Sequence, residues 1–344
     1  MNRFILLIPI VTLLFTAACT GKQATAPVAD TSVTDTSAVD TVPRPVAEPE
    51  IHDWTADDIT IRKDIAFEKY TLEDEYPYRD TVRYFQWDKV KALLAAIENM
   101  QRDTTVQYII LTNYRNQNQE APVVKNFQRN NYTRICDSLG TERYQSAPLY
   151  ALTDTLTPEI YGRDGSLAWL NDSTGNFWRI RPVVGETEWL VPRRYVRLLP
   201  SPTSFRHVII VDRHNQNIAT LESDSVTVWR IRSMNPATTG RFAPPYAQKT
   251  PLGMYVIQEK KTRMLYYKDG TTELAGYAPY ASRFTNGAYI HGVPVDDVEA
   301  PAIEYSWSLG TTPRSHMCVR NATSHSKFIF DWAPTHRTLV CVIE

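Results

Sequence analysis

The sequence predicts a mainly β protein built in successive parts, and three observations predict it. Prolines outnumber glycines, 22 to 13, in a chain of 344 residues that also carries 19 Tyr and 8 Trp, a balance suited to short strands and rigid turns more than to long helices. Beyond about residue 145 the apolar residues fall in short, alternating runs divided by polar and Gly turns, the period-two pattern of strands. Helical spacing, by contrast, recurs in only two short stretches. A hydrophobic content of 43% over this length is enough for a sizeable core and more than one domain. With 37 basic against 38 acidic residues, the chain has no charge excess to condense onto nucleic-acid phosphates or anionic lipid. No nucleic-acid partner is expected.

The chain opens with Arg3, an apolar run from Phe4 to Phe15, and the small residues Thr16, Ala17 and Ala18 before Cys19. That order of charged, apolar and small segments reads as an export signal over residues 1–18. Its apolar core of about 12 residues is too short to span a bilayer, which takes about 20. The string TAAC resembles a bacterial lipobox, whose Cys is lipidated and becomes the mature N-terminus, although Thr16 stands where that pattern usually has Leu. The resemblance implies lipidation at Cys19 and a membrane partner through that lipid. An ordinary secretory signal with a Cys near its cut is the alternative. From Thr20 to Glu50 there is no aromatic residue, Leu or Ile, and Asp-Thr recurs at 30, 35 and 40. Such a segment cannot bury enough apolar surface to offset its chain entropy, so residues 19–50 read as a lipidated, disordered tether.

Residues 51–143 read as an α+β region of unassigned role. Val90, Leu93, Leu94, Ile97 and Met100 recur at helical spacing behind Asp88, which predicts an amphipathic helix over 88–101 capped by Asp88. Residues 106–112 (VQYIILT) predict a strand, and the polar run Asn113 to Glu120 a loop. Over 144–201 the runs APLYAL, SLAWL, FWRIRPV and EWLVPRRYVRLL predict a small barrel. Its closing segment, Trp189 to Val196, resembles the last strands of bacterial SH3-like domains. Trp169, Trp178 and Trp189 are expected in its core, with a ligand groove as the alternative. Residues 205–344 alternate again and predict a larger β domain, with one helix over Ser324–Trp332 and the closing strand LVCVI.

The chemistry concentrates in that last part. In an extended stretch, residues i and i+2 share a face, so in Ser315-His316-Met317-Cys318-Val319-Arg320-Asn321 the side chains of His316, Cys318 and Arg320 point one way and Met317 and Val319 pack behind. Cationic neighbours and the N-terminus of the following helix are expected to favour thiolate at Cys318. In Tyr289-Ile290-His291-Gly292, Tyr289 and His291 share a face. A neutral imidazole can take the proton of a thiol that is otherwise mostly protonated at neutral pH. Cys and His in an exported chain point to acyl transfer through a thioester.

At these residues the sequence resembles the L,D-transpeptidase (YkuD-type) catalytic domain. That family carries His-Gly on one strand and, downstream, Ser-His-Gly-Cys followed by a hydrophobic residue and Arg or Asn; the counterparts are His291-Gly292 and Ser315-His316-Met317-Cys318-Val319-Arg320. Thr239-Gly240, the segment Thr250-Pro251-Leu252-Gly253 and the ending FDWAPTHRTLVCVI resemble further family marks. The fold so implied is a YkuD-like β-sandwich or barrel, preceded by the small SH3-like barrel and the α+β region. The resemblance implies Cys318 as nucleophile, His291 as its base, and the Gly292 carbonyl as the group orienting the imidazole. It places His316 beside the thiol, with Ser315, Met317, Arg320 and Tyr289 on the substrate or oxyanion side. It implies peptidoglycan stem peptides as partners, no cofactor and no metal, with a wall-linked protein as an additional acceptor.

Two departures stand out. Met317 replaces the usual Gly before the nucleophile, removing easy access to a left-handed backbone and bringing a long side chain near the site. The stretch between His291 and Ser315 is also longer than in the family, and its extra residues, Pro294 to Gly310, are expected to form a lid or substrate loop. An L,D-carboxypeptidase or cross-link hydrolase, or an inactive wall-binding lipoprotein, remain alternatives. Cys341 reads as core, Cys136 as helix or loop, and a disulfide between them is left open. His325 and His336 lack metal-ligand spacing. The cell envelope, on the periplasmic side of a membrane, is the expected location.

Overall fold

The computed structural model describes residues 52–344. The expected signal peptide, Cys19 and the tether lie outside them. The described chain is mainly β, and its organisation follows from the run HVIIVD. The strand His207–Asp212 lies inside a six-stranded sheet ordered Thr60–Lys63, Val228–Pro236, Asn217–Ser225, His207–Asp212, Thr338–Ile343 and Gly253–Val256. Its parallel neighbour is the closing strand, with Val208 opposite Leu339 and Ile209 opposite Val340. Because side chains alternate across a strand, Val208, Ile210, Leu339 and Cys341 enter one hydrophobic core, while Ile209, Val211, Val340 and Val342 enter a second on the other face. A strand buried on both faces reads as an unbroken apolar run, which is why the centre of HVIIVD, Val208 to Val211, and LVCVI lack polar positions.

The first core is covered by the helix Trp87–Met100, whose Val90, Leu94 and Ile97 are buried. Asp88 does not cap it. The N-cap is Gln86, without a side-chain cap bond, and Asp88 falls in the first turn, where its charge faces the positive end of the helix dipole. The second core is closed by the helix Thr323–Trp332 and a four-stranded sheet ordered Glu259–Tyr267, Leu274–Thr285, Ala288–His291 and Val319–Arg320.

Within the stretch read as an α+β region, the described residues share a sheet and a core with later ones. Thr60–Lys63 pairs in parallel with Val228–Ile231 as the edge of the six-stranded sheet, and Ile59, Phe85 and Leu94 share one core with Phe205 and Trp229. Nor does the boundary expected at 143/144 separate two sheets. The strand Gln107–Leu111 is inserted between Leu167–Thr174 and Val196–Leu198 in a five-stranded sheet whose other members are Phe177–Pro182 and Trp189–Pro192. Trp178 and Trp189 pack against that sheet's own core and Trp169 against the first core, so the three tryptophans line no common groove. Cys136 is on the strand Ile135–Cys136 rather than in a helix or loop, and Cys136, Cys318 and Cys341 are unpaired thiols.

Candidate active site

Two fully buried residues set the geometry of the site. Ile290 and Val319, each 0% exposed, pair across the parallel strands Ala288–His291 and Val319–Arg320 and anchor both in the second core. Alternation then sends Tyr289, His291, Cys318 and Arg320 to the opposite face, where all four line a cavity of about 1180 Å³. The cavity is roomy by comparison with ordinary ligand pockets of roughly 300–1,000 Å³.

His291 is buried, and its Nδ1 lies 2.6 Å from the Gly292 carbonyl oxygen. A carbonyl only accepts, so Nδ1 carries the proton and Nε2 keeps a free lone pair. Burial pushes the imidazole down to about 4, helped by the Arg320 cation and opposed by the Gly292 bond. The ring is neutral at neutral pH. Gly292 is needed for close packing: its N–H donates to the Pro279 carbonyl at 2.8 Å, and a Cβ there would lie 2.7 Å from both Pro279 Cγ and Thr323 Oγ1.

Cys318 is half-buried, and its thiol donates to the Gly287 carbonyl at 3.6 Å. Burial pushes this thiol up, against the opposing pull of the Tyr289 N–H and the Arg320 cation. The expected thiolate is therefore not favoured in the resting site, because desolvation outweighs the two groups that would stabilise the charge. The site rests as neutral thiol and neutral imidazole.

The loop that carries Cys318 is braced by the segments around Thr239 and Thr250. Thr250 Oγ1 accepts from the Gly240 N–H at 2.8 Å and donates to the Met317 carbonyl at 2.7 Å. A Cβ on Gly240 would sit 2.8 Å from the Met317 Cα, so only glycine allows this approach. The Ser315 hydroxyl, expected on the substrate side, is buried and donates to the Cys318 carbonyl at 2.5 Å. Met317 takes no left-handed backbone, and its side chain packs against the second core rather than entering the cavity. The backbone N–H groups of His316, Met317 and Cys318 donate to no acceptor among the described residues. His316 lines the cavity half-exposed and contacts Asp269 Oδ2 at 3.0 Å. Arg320 forms no ion pair among the described residues, and its Nε is buried without a partner.

Two further parts complete the cavity, one expected from the sequence and one hidden in it. The extra loop supplies Pro294, Asp296, Ile303, Tyr305 and Trp307 to the wall and is held by residues far upstream: Lys69 pairs with Glu304 at 2.9 Å, Tyr70 packs on Tyr305 with ring centroids 4.4 Å apart, and Arg83 Nη2 donates to the Thr311 carbonyl at 2.7 Å. The second part is a buried network. Tyr289 and Tyr114 hydroxyls are 3.2 Å apart, and Arg283 stacks over the Tyr114 ring at 4.2 Å while pairing with Asp164 at 2.5 Å. His325, also buried, bonds Ser233 Oγ at 2.9 Å, and His336 meets Arg197 at 3.0 Å; neither lines the cavity.

A two-core β domain with His291 on one strand and Cys318 just before the strand paired with it, both on the cavity wall, is the architecture in which the sequence motifs are set. Residues 206–342 match the family model of the L,D-transpeptidase catalytic domain, YkuD. No curated protein matches the chain. Among solved structures, an L,D-transpeptidase from Mycobacterium smegmatis is similar at 15% identity over 52% of this chain and 73% of its own, with a TM-score of 0.34. L,D-transpeptidase 3 from Mycobacterium tuberculosis is similar at 16% identity over 53% and 93%, TM-score 0.33. A fused Zn-dependent amidase/peptidase/peptidoglycan-binding domain-containing protein from Clostridium acetobutylicum is similar at 19% identity, TM-score 0.30. The match covers 42% of this chain and 54% of that one, about half its length.

Proposed function

We propose that the protein is a peptidoglycan L,D-transpeptidase working through a thioester on Cys318. The observation that carries the reading is the His291 Nδ1–Gly292 bond, which leaves Nε2 of a neutral, buried imidazole as a proton acceptor on the cavity wall that also bears the thiol. The Cys318 sulfur attacks the carbonyl of the third residue of a tetrapeptide stem as its proton passes to His291 Nε2. Because the thiol's pKa is raised, proton transfer accompanies attack rather than preceding it. The oxyanion is received by the unengaged N–H groups of His316, Met317 and Cys318. Collapse breaks the peptide bond, His291 returns the proton to the leaving amine, and D-Ala departs. An amine from a second stem, the side-chain amine of a diaminopimelate where the wall contains it, then attacks the thioester and gives its proton to His291. The new amide forms and the thiol is restored. Water in place of the amine makes the same site a carboxypeptidase.

Arg320, a cation without an ionic partner two residues from the nucleophile, binds the terminal carboxylate of the donor stem. The reading extends to a lipid on Cys19, a position on the periplasmic side of the cell envelope, an SH3-like role for residues 144–201 and a wall-linked protein as an additional acceptor; these rest on sequence motifs alone. Incubating the purified protein and its Cys318→Ala variant with disaccharide tetrapeptide, followed by mass spectrometry, tests the chemistry. Dimers that depend on Cys318 are expected, whereas release of D-Ala without dimers would make the protein a carboxypeptidase. Turnover unaffected by Cys318→Ala would overturn the assignment.

A further inference from the structure

The cavity of a two-substrate transfer must receive a second peptide, and one cation on its wall is unaccounted for. Of the cationic side chains lining it, Arg134 pairs with Glu142 at 3.0 Å, Lys261 with Glu259 at 3.1 Å, and Arg263 donates to the Val298 carbonyl. Arg320 stands beside the nucleophile. The guanidinium of Arg115 lies 5.2 Å from the Tyr114 ring centroid and, among the described residues, has no carboxylate partner while it lines the cavity.

Arg115 is also held there against its own backbone preference. It and Asn116 adopt φ of 53° and 54°, the left-handed region that Asn tolerates but that costs free energy for Arg and persists there only where its surroundings over-determine it. Those surroundings are a set of amide and carboxylate bonds. Asp164 accepts from the Asn113 N–H at 2.9 Å, Gln145 Oε1 accepts from the Arg115 N–H at 3.0 Å, and Asn116 Oδ1 accepts from the Gln145 N–H at 2.8 Å. Asn113 Nδ2 donates to the Ser146 carbonyl at 2.8 Å. The preceding residue, Tyr114, is tied to Tyr289, whose backbone N–H acts on the Cys318 sulfur. A hydrogen-bonded loop with two left-handed residues thus presents to the cavity a guanidinium that has an aromatic neighbour but no anionic partner, from outside the residues of the family match.

We infer that Arg115 is a specificity residue for the second stem, binding the carboxylate that flanks its attacking amine. A guanidinium fork matches a carboxylate in two parallel hydrogen bonds. In the donor stem the terminal carboxylate lies one residue from the scissile carbonyl, within the province of Arg320, so the remaining cation falls to the incoming peptide. The inference rests on the transpeptidase reading above.

Its test compares the full-length protein with Arg115→Asn, since Asn tolerates the left-handed backbone, and with Arg115→Lys. Each is given disaccharide tetrapeptide as donor and a stem peptide as acceptor, its amine-flanking carboxylate either free or amidated. The dimer-to-hydrolysis ratio with the free carboxylate should fall about tenfold or more in Arg115→Asn, the loss expected when a charged hydrogen-bond partner is removed. Arg115→Lys should recover part of it. Amidating the acceptor should cause the same fall in the wild type and no further fall in Arg115→Asn. If both products decline by one factor, Arg115 serves the donor and the inference is overturned; retained discrimination in Arg115→Asn overturns it as well. Calorimetric binding of the two acceptors to Cys318→Ala, with and without Arg115→Asn, tests the same assignment without turnover. Equal affinity for acid and amide defeats it whatever the reaction proves to be, whereas failure of turnover alone defeats the transpeptidase reading and leaves the binding result to decide.

Discussion

His291 and Arg320 occupy paired positions on two parallel strands, so the imidazole carries a permanent cation as its neighbour across the ladder. Burial is the larger influence holding the ring near 4, and Arg320 adds to it. In Arg320→Met the cationic contribution disappears while burial remains. The acid limb of the kcat/KM profile should therefore move up in pH yet stay below the ordinary histidine value of 6.5. A pH series on the two proteins checks this; an unmoved or downward-shifted limb would show that the limb belongs to another group.

Gly240 is the point at which the Cys318 loop touches its brace. In Gly240→Ala, the new methyl meets the Gln248 carbonyl oxygen at 2.2 Å and the Met317 Cα at 2.8 Å, both backbone atoms that cannot swing aside. Overpacking of this kind costs about 1–3 kcal/mol or more. The shift it forces carries Met317 and its neighbour Cys318 with it. The expected outcome is a lowered melting temperature together with a loss of Cys318 acylation larger than the stability loss explains. A fully active, fully stable Gly240→Ala would mean that the brace yields without moving the nucleophile.

The parts of this architecture that sequence reveals are those with a local signature. The helix Trp87–Met100 declares itself through Val90, Leu94 and Ile97, and the paired strands through Ile290 and Val319 set between functional neighbours. Long-range pairing leaves no such mark. Thr60–Lys63 is a four-residue, largely exposed edge strand, and nothing in TIRK announces that its partner is Val228–Ile231. Arg115 and Tyr114 sit in a polar run that reads as an ordinary loop, and Asp164, Arg283 and Glu259 become a network only when the sheets bring them together. The direction of the Cys318 shift was illegible for the same reason. Neighbouring charges can be read from a sequence, but desolvation of the sulfur cannot.

Acid should unfold the protein earlier than its carboxylates alone require. His291 and His325 are buried and neutral, held at about 4 and about 3 by desolvation, and burial also lowers His207 and His336. Below pH 6.5 the unfolded chain binds protons that these folded histidines refuse, so stability is complete above 6.5 and is lost as pH falls toward 4. Each such group contributes at most about 1.4 kcal/mol per pH unit within its window. His325→Asn should melt lower at pH 7.5, having lost its bond to Ser233 and its ring contacts with Phe67 and Phe328, yet lose less between pH 6.5 and 5 than the wild type. Parallel melting curves across that interval would remove His325 from the account.

The buried ion pair of Arg283 and Asp164 links the upstream residues to the sheet that holds His291, and its two halves are unequal in what they hold. Their side chains are 8% and 1% exposed. Asp164 also accepts from the Asn113 N–H and from Gln258 Nε2 at 2.9 Å each, whereas Arg283 reaches Glu259 at 3.2 Å and lies over Tyr114. Removing one partner of such a pair leaves the other charge buried, at a cost of roughly 3–5 kcal/mol. Arg283→Met should therefore be strongly destabilising. Adding Asp164→Asn should restore part of the loss, because an amide can keep its oxygen on the Asn113 N–H without a charge to solvate. Chemical denaturation of the two single variants and the double variant yields the coupling directly. Hydrogen exchange at Asn113 and Arg115 should rise in Arg283→Met and return toward the wild-type rate in the double variant. Strictly additive losses, with no change in exchange at those two amides, would show that the pair does not hold the loop that carries Arg115.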